Sequence, residues 1–102
     1  MSQIAQTDIS ALGNKWLVTG EVLVDNANLI LMKSAEFKMS GDIEVDFAGV
    51  SNVDTSALSL MLEWQRRAVA TGSKIKFSNL PENLSSLADL YGIEGFIPLS
   101  TH

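Results

Sequence analysis

Apolar and polar residues alternate with the two-residue period of a β-strand in several parts of the chain. Residues 43–47 alternate apolar and acidic side chains, which predicts a strand with one apolar face. Residues 74–77 alternate lysine with apolar side chains and predict a shorter strand. Residues 9–12 and 15–19 flank a Gly-Asn pair, a combination that predicts a β-hairpin with a two-residue turn. Residues 96–98 are predicted to form a last short extended piece.

Two helices are predicted between these strands. The first covers about 27–38, where apolar and polar residues recur at helical spacing, with Asp25 or Asn26 as its cap. The second covers about 55–71, because capping residues precede it and Gly72 stands at its C-terminal end.

A third helix opens at Pro81, a residue that suits a first helical turn, and ends at Gly92. Its predicted buried stripe consists of Leu84, Leu87, Ala88 and Tyr91. Residues 48–52 are predicted to form a turn before the second helix. The order is therefore strand, strand, helix, strand, helix, strand, helix, which indicates crossover connections and a parallel or mixed sheet. We expect an α/β fold in a single domain over residues 1–102.

The composition restricts the function. Twelve acidic residues against seven basic ones give a net charge of −5, which argues against binding to nucleic acid or to an anionic membrane. The lack of cysteine excludes thiol nucleophiles and cysteine-ligated metals. The single histidine, His102, is the last residue, so the usual general base and metal ligand are missing from the rest of the chain. No signal-peptide pattern and no apolar run of membrane-spanning length is present, and we expect a cytoplasmic protein.

Three carboxylates recur at every second position of the predicted strand at 43–47. Asp42, Glu44 and Asp46 are therefore predicted to project to one face, where they would be able to hold a hard cation or to serve a small enzyme. No glycine-centred calcium loop surrounds them, so the stronger interpretation is that Asp42 lies in the preceding turn and that Glu44 and Asp46 simply avoid the core. We expect no catalytic residue, no metal and no cofactor.

The second helix carries a wide apolar arc. Its apolar side chains cover about 200° of the circumference, about twice the stripe that a helix lying on a sheet must bury. Either Leu60 with Trp64 or Leu58 with Leu62 is therefore a candidate exposed edge; alternatively, neighbouring helices of the same domain cover it. An exposed edge would also favour a homodimer when a partner is absent. The candidate interface on this helix comprises Leu58, Ser59, Leu60, Leu62, Glu63 and Trp64.

Several segments resemble the signature of the STAS domain family, the bacterial anti-sigma factor antagonists. Residues 43–50 resemble its apolar strand that ends in an Asp-apolar-Ser pattern, and residues 53–58 (Val-Asp-Thr-Ser-Ala-Leu) resemble its Asp-Ser-Ser-Gly-Leu element at a helix start. Residues 20–22 look like its Gly-x-apolar element. The Asp-Thr pair at 54–55 and the Leu-Ala-Asp-Leu-Tyr segment at 87–91 are similar to the STAS subunit of the bacterial phospholipid-transporting ABC complex.

The resemblance implies a mixed sheet with helices packed largely on one side, and a non-catalytic regulatory function. The implied partner is the ATPase subunit of the ABC transporter, which would place the chain at the periphery of the inner membrane. The alternative is an anti-sigma factor antagonist whose partner is a serine kinase anti-sigma factor. The family's phosphoacceptor position corresponds to Thr55, with threonine in place of the commoner serine, and its flanking residues are Asp54, Ser56 and Ala57, the last in place of glycine.

Physical chemistry gives Thr55 two possible roles. Its hydroxyl can cap the second helix, an interaction worth about 1 kcal/mol. If Asp54 caps the helix instead, Thr55 is free to face a partner. Phosphorylation would then add a charge of about −1.5 to −2, which the helix N-terminus favours and the neighbouring Asp54 opposes.

Overall fold

The computed structural model describes residues 7–92. Its elements are β1 (Asp8–Leu12), β2 (Lys15–Val22), α1 (Ala27–Ser34), β3 (Asp42–Val53), α2 (Thr55–Thr71), β4 (Lys74–Ser78) and α3 (Glu82–Leu90). The predicted order of strands and helices is therefore confirmed. The extended piece predicted at 96–98 and His102 lie outside the described residues.

The four strands of the described region form one mixed sheet in the order β1-β2-β3-β4. β1 and β2 are antiparallel, and Leu12 lies opposite Lys15, so that two residues make the predicted hairpin turn. β2 is parallel to β3, and β3 is parallel to β4. Each parallel pair requires a crossover connection, which α1 and α2 provide. The α/β fold class with a mixed sheet is confirmed.

Burial alternates along the strands and identifies the face that the helices cover. In β2, Trp16 and Val18 are fully buried, whereas Leu17 between them is 39% exposed. In β3, Ile43 and Val45 are buried, whereas Glu44 between them is only half-buried. The helices therefore pack on one side of the sheet, and the described residues leave the opposite face open. No helix in this part of the chain is long and apolar enough to cross a membrane.

Aromatic rings occupy the centre of the core. The ring centroids of Trp16 and Trp64 are 5.9 Å apart in an edge-to-face arrangement, and Trp64 stacks on Phe77 at 6.3 Å. Phe37 adds a second edge-to-face contact with Trp16 at 5.2 Å. Such pairs contribute about 0.5–1.5 kcal/mol each beyond the burial of their surface. They join β2, α2 and β4 to the segment that follows α1.

A buried serine connects α1 to α2. The indole Nε1 of Trp64 donates a hydrogen bond to Ser34 Oγ at 2.8 Å, and that hydroxyl donates to the carbonyl of Leu31 at 2.8 Å. Arg67 Nη1 donates to the carbonyl of Ser34 at 3.2 Å. Ser34 is fully buried, so its hydroxyl and its carbonyl bond to these protein groups instead of to water.

The same contacts explain why α1 is shorter than predicted. The prediction that it runs to about Lys38 is wrong, because α1 ends at Ser34 and the next residues form tighter turns, with Phe37 N–H donating to the Ser34 carbonyl at 3.0 Å. This turn places Phe37 against Trp16. Asn26 occupies the N-cap position, as predicted, but its side chain does not cap the helix. Its Oδ1 instead accepts from the backbone N–H of Leu23 at 2.8 Å.

β3 is longer than predicted, since the turn expected at 48–52 is part of the strand. The strand pairs with β2 as far as Val22 and Val53, with two register shifts along the way. A Cβ on Gly49 would lie 2.9 Å from Thr19 Cγ2 and 3.2 Å from the Val18 carbonyl oxygen. Pairing with β2 therefore overrides the turn-forming tendency of these residues, and glycine permits the close approach.

α3 largely confirms its predicted stripe. Leu84 and Ala88 are buried, and Leu87 is partly buried against the core. The prediction that Tyr91 is buried is wrong, because the helix ends at Leu90 and the Tyr91 side chain is 58% exposed. The predicted boundaries of α2 and β4 agree with the structure to within one residue.

We expect Ser34→Ala to destabilise the fold by about 1–3 kcal/mol, because the buried indole N–H of Trp64 would lose its acceptor. Urea unfolding followed by tryptophan fluorescence measures the change. Ser40→Ala, at an exposed loop position, is the matched control and should stay within about 0.5 kcal/mol of wild type. A Ser34→Ala variant as stable as the control would contradict the assigned role of this hydrogen bond.

We also expect Gly49→Ala to destabilise the β2–β3 pairing by about 1–3 kcal/mol, because the new methyl group meets Thr19 Cγ2. The Thr19→Ser background removes that methyl group and keeps the hydroxyl. The cost of Gly49→Ala should therefore be smaller in Thr19→Ser than in wild type. Equal costs in a double-mutant cycle would show that the side chain of Thr19 is not the obstacle.

Candidate functional site

The N-terminus of α2 is organised by the carboxylate of Asp54. Its Oδ1 accepts from the backbone N–H of Ser56 at 2.8 Å, which caps the helix. Its Oδ2 accepts from the backbone N–H of Val24 at 3.0 Å, in the loop between β2 and α1. The backbone N–H of Asp54 donates to the Val22 carbonyl at 3.2 Å. One residue thus joins the ends of β2 and β3 to the start of α2.

Because Asp54 caps the helix, Thr55 does not have to. Thr55 is exposed, and its hydroxyl has no hydrogen-bond partner within residues 7–92. The helix N-terminus therefore presents a hydroxyl to solvent. Of the residues predicted to flank it, Ser56 is half-buried and Ala57 is fully buried.

The environment of Asp54 favours its charged form. Partial burial by itself raises the pKa of the carboxyl, but the backbone N–H groups of Ser56 and Val24 stabilise the anion and outweigh that effect. The pKa of Asp54 is therefore below its usual value. The carboxylate remains an acceptor for both N–H groups at neutral pH.

A groove runs between the N-terminal part of α2 and α3, and we call it the α2–α3 groove. Its lining includes Thr55, Glu82, Asn83, Ser86, Leu87 and Leu90. Leu90 is 76% exposed, and Val24, held by Asp54, is 71% exposed. Thr55 therefore shares its end of the molecule with two large apolar side chains that the rest of residues 7–92 leaves exposed.

The apolar arc of α2 is mostly used inside the domain. Ala57, Leu58, Leu60, Met61, Trp64 and Ala68 are all buried. Leu60 and Trp64 are therefore not an exposed edge, and neither is Leu58 with Leu62, since Leu58 is 5% exposed. The alternative, that neighbouring elements cover the edge, is confirmed for these three residues.

What α2 does expose is a narrower line of side chains. Thr55, Ser59, Leu62 and Arg66 follow one another at spacings of three or four residues and are all exposed, with Leu62 at 39%. Glu63 is half-buried and accepts hydrogen bonds from the Arg66 guanidinium. Of the candidate interface on α2, Ser59, Leu62 and Glu63 are accessible to a partner.

The three carboxylates of β3 do not form a common site: Asp42 is exposed, and Glu44 and Asp46 have different partners. Asp46 is 7% exposed; its Oδ1 accepts from the backbone N–H of Ala48 and from Asn79 Nδ2, and its Oδ2 lies 3.6 Å from Lys15 Nζ. Glu44 accepts from Ser78 Oγ at 2.6 Å. Within residues 7–92, no group of three or more His, Cys, Asp or Glu side chains is placed to hold a metal ion.

Val24 and Leu90 were not among the site residues predicted from the sequence. Leu90 lies off the stripe of Leu84 and Ala88 on a helical wheel, and this signal was available in the sequence. Val24 carries no comparable signal, because its position depends on the hydrogen bond from its backbone N–H to Asp54.

The chain is similar to known proteins in sequence and in fold. The family model described as "Mlab, STAS domain" matches residues 15–99. No curated protein matches the sequence significantly. A Thermotoga maritima protein assigned as an anti-sigma factor antagonist, whose crystal structure is known, superposes with a TM-score of 0.71 at 14% identity, over 91% of this chain and 84% of the other. At that identity the superposition shows a common fold.

The lowered pKa of Asp54 predicts acid sensitivity. Because the folded-state pKa lies below the unfolded value of about 3.9, the stabilisation from this carboxylate is complete above that pH and is lost as the pH falls through the folded-state pKa. Asp54→Asn has no carboxyl to titrate at this position. Its stability deficit relative to wild type, measured by urea unfolding, should therefore shrink between pH 7 and pH 3.

The exposed Glu36, replaced by Gln, controls for the loss of one negative charge. A deficit of Asp54→Asn that stayed constant over this pH range would show that ionisation of Asp54 does not support the fold.

Proposed function

The chain belongs to the STAS domain family, in its MlaB-type branch, and from this premise we propose that it is a non-catalytic accessory subunit that binds and regulates the ATPase of a phospholipid-transporting ABC complex. The protein would be cytoplasmic and would reach the inner membrane through that ATPase. It would supply a binding surface to the complex, and the handling of lipid and nucleotide would fall to other subunits.

The observation that carries the proposal is the free hydroxyl of Thr55 beside uncovered apolar side chains. Asp54 caps α2 and leaves Thr55 exposed at the helix N-terminus. Val24, Leu62 and Leu90 are exposed apolar residues on the elements that meet there. A partner that covers them would gain on the order of 1.5–3 kcal/mol for each large side chain fully removed from water.

Regulation at this surface would follow from its electrostatics. A phosphate on Thr55 would stand at the N-terminus of α2, which favours an anion, but next to the Asp54 carboxylate, which is already charged. In an interface that excludes water, an added charge of about −1.5 to −2 without a cationic partner weakens binding. The site would therefore respond to modification without a rearrangement of the fold.

The alternative function is that of an anti-sigma factor antagonist, controlled by phosphorylation of Thr55 through a serine kinase anti-sigma factor. The accessible hydroxyl supports this alternative as well, because a phosphoacceptor must be reachable by a kinase. Both functions use the same surface and differ in the partner. The MlaB-type family match favours the transporter ATPase.

We expect Thr55→Glu to weaken binding to the purified ABC ATPase subunit about tenfold or more, which corresponds to about 1.4 kcal/mol, because it places a charge in the interface. Isothermal titration calorimetry measures the affinity. Thr55→Ser should bind like wild type, and Ser40→Glu, at an exposed loop position, controls for the added charge. If Thr55→Glu bound with full affinity, Thr55 would lie outside the interface.

Binding of wild type to a kinase-type anti-sigma factor, with none to the ATPase, would instead establish the alternative partner.

A further inference from the structure

A row of side chains crosses the open face of the sheet, with one residue from each strand. Leu12 of β1 lies opposite Lys15 of β2. Glu44 of β3 lies between Lys15 and Lys76 of β4. The neighbours of these residues in β2, β3 and β4, such as Trp16, are buried, so the row points away from the helices. Three strand spacings, about 14 Å, separate its two ends.

The same row lines a groove, which we call the lysine groove. Its volume is about 870 Å³, and Lys74, two residues before Lys76, also lines it. Leu12 is 87% exposed and Val69, near the end of α2, is 70% exposed, so apolar surface borders the groove. Thr55 begins α2 and is about 21 Å from Val69 along the helix axis. The lysine groove is therefore separate from the N-terminus of α2.

The lysine groove is cationic, although the chain as a whole is acidic. Three of the seven basic residues of the chain line it, against two of the twelve acidic residues, Asp42 and Glu44. These side chains give the groove a net charge of +1, whereas the chain carries −5. Basic residues are thus concentrated at one place on an acidic protein.

Two of the three ammonium groups are unpaired in the part of the chain that the structure describes. Lys15 Nζ lies 3.6 Å from Asp46 Oδ2, whereas Lys74 and Lys76 form no salt bridge there. The carboxylate opposite Lys76, that of Glu44, accepts a hydrogen bond from a serine hydroxyl of β4 at 2.6 Å. Lys74 and Lys76 are therefore available to an external anion.

We propose that the lysine groove is a second interaction surface, independent of the function proposed above, which binds an extended acidic segment of another protein. Four positions along an extended segment span about 13–14 Å and return to the same side of the segment. An acidic side chain over Lys74 and Lys76 therefore places the side chain four positions away over Leu12. The segment carries an apolar residue at that position.

Charge and shape select this occupant. Carboxylates complement the two unpaired ammonium groups. A small-molecule site normally encloses most of its ligand, whereas this groove lies on an open sheet face and suits a segment held by a larger partner. Nucleic acid fits poorly, because no arginine or aromatic residue lines the groove within residues 7–92, and Asp42 and Glu44 repel phosphates.

A random peptide library displayed on phage, selected against the purified full chain, tests the recognised pattern. We expect enrichment of sequences with Asp or Glu and, about four positions away, Leu, Ile, Met or Phe. The most enriched sequence is then synthesised, and its affinity is measured by fluorescence anisotropy. If no sequence were enriched, or if the enriched sequences lacked acidic residues, the proposal would be wrong.

Lysine variants test whether the synthetic peptide binds in the groove. We expect Lys76→Gln to weaken binding about threefold, and Lys76→Gln combined with Lys74→Gln to weaken it about tenfold. Lys38→Gln, at an exposed position outside the groove, is the matched control and should bind like wild type. Wild-type affinity should also fall as the salt concentration rises. Glutamine places no like charge beside Glu44, so thermal unfolding should show that the variants remain folded.

The apolar part of the groove is tested by Leu12→Ser. We expect it to weaken peptide binding about threefold or more, because the apolar residue of the peptide loses its contact. Leu29→Ser removes a leucine that is 60% exposed on α1, outside the groove, and should change nothing. Equal affinities of these two variants would contradict the contact with Leu12.

Other outcomes locate the peptide elsewhere. Binding that Thr55→Glu weakens and Lys76→Gln leaves unchanged would place the peptide at the N-terminus of α2 and would overturn the proposal. Self-association in sedimentation experiments that Lys76→Gln abolishes would assign the groove to a second copy and would also overturn it. The peptide assay contains no ATPase, so its failure would leave the function proposed above standing.

Discussion

The candidate interface depends on the two hydrogen bonds that the Asp54 carboxylate accepts. One caps α2 through Ser56, and the other holds the backbone of Val24 at the end of β2. Together these bonds join the ends of two strands to the start of a helix. Because Asp54 caps the helix, the Thr55 hydroxyl makes no hydrogen bond within residues 7–92. It is therefore available to a partner.

Packing inside the domain accounts for most of the apolar surface of α2. α2 lies on the sheet and also contacts α1 and α3, so it must be buried on more than one side. Trp64 shows the consequence, since it stacks on Phe77 of the sheet and donates its indole N–H to Ser34 of α1. Exposed apolar side chains remain at Leu62 and Val69 of α2 and on several other elements, for example at Val24 and Leu90. A partner must therefore contact several elements at once.

Family and fold constrain the function to different degrees. The superposition on an anti-sigma factor antagonist shows that the scaffold is common to both proteins, and a common scaffold does not select a partner. In the proposed function, the side chains around Thr55 make that selection.

The sequence by itself determined the order of the elements, the hairpin, and the start and end of α2. These features depend on local chemistry, namely a two-residue turn, the capping carboxylate of Asp54 and the glycine at Gly72 with its φ of 73°. The family resemblance identified Thr55 through a motif that lies at a helix start, which is also a local feature of the sequence.

Only the tertiary structure decided where α1 ends, that residues 48–52 extend β3, and which apolar side chains stay uncovered. In each case the outcome depends on residues distant in sequence. Ser34 is held by Trp64 and Arg67 about 30 positions away, and Gly49 is fitted against Thr19 across two strands. Periodicity indicates that a side chain is apolar, but whether a neighbouring element covers it is decided by packing. For this reason Leu58 and Leu60 are buried, while Leu90 is exposed.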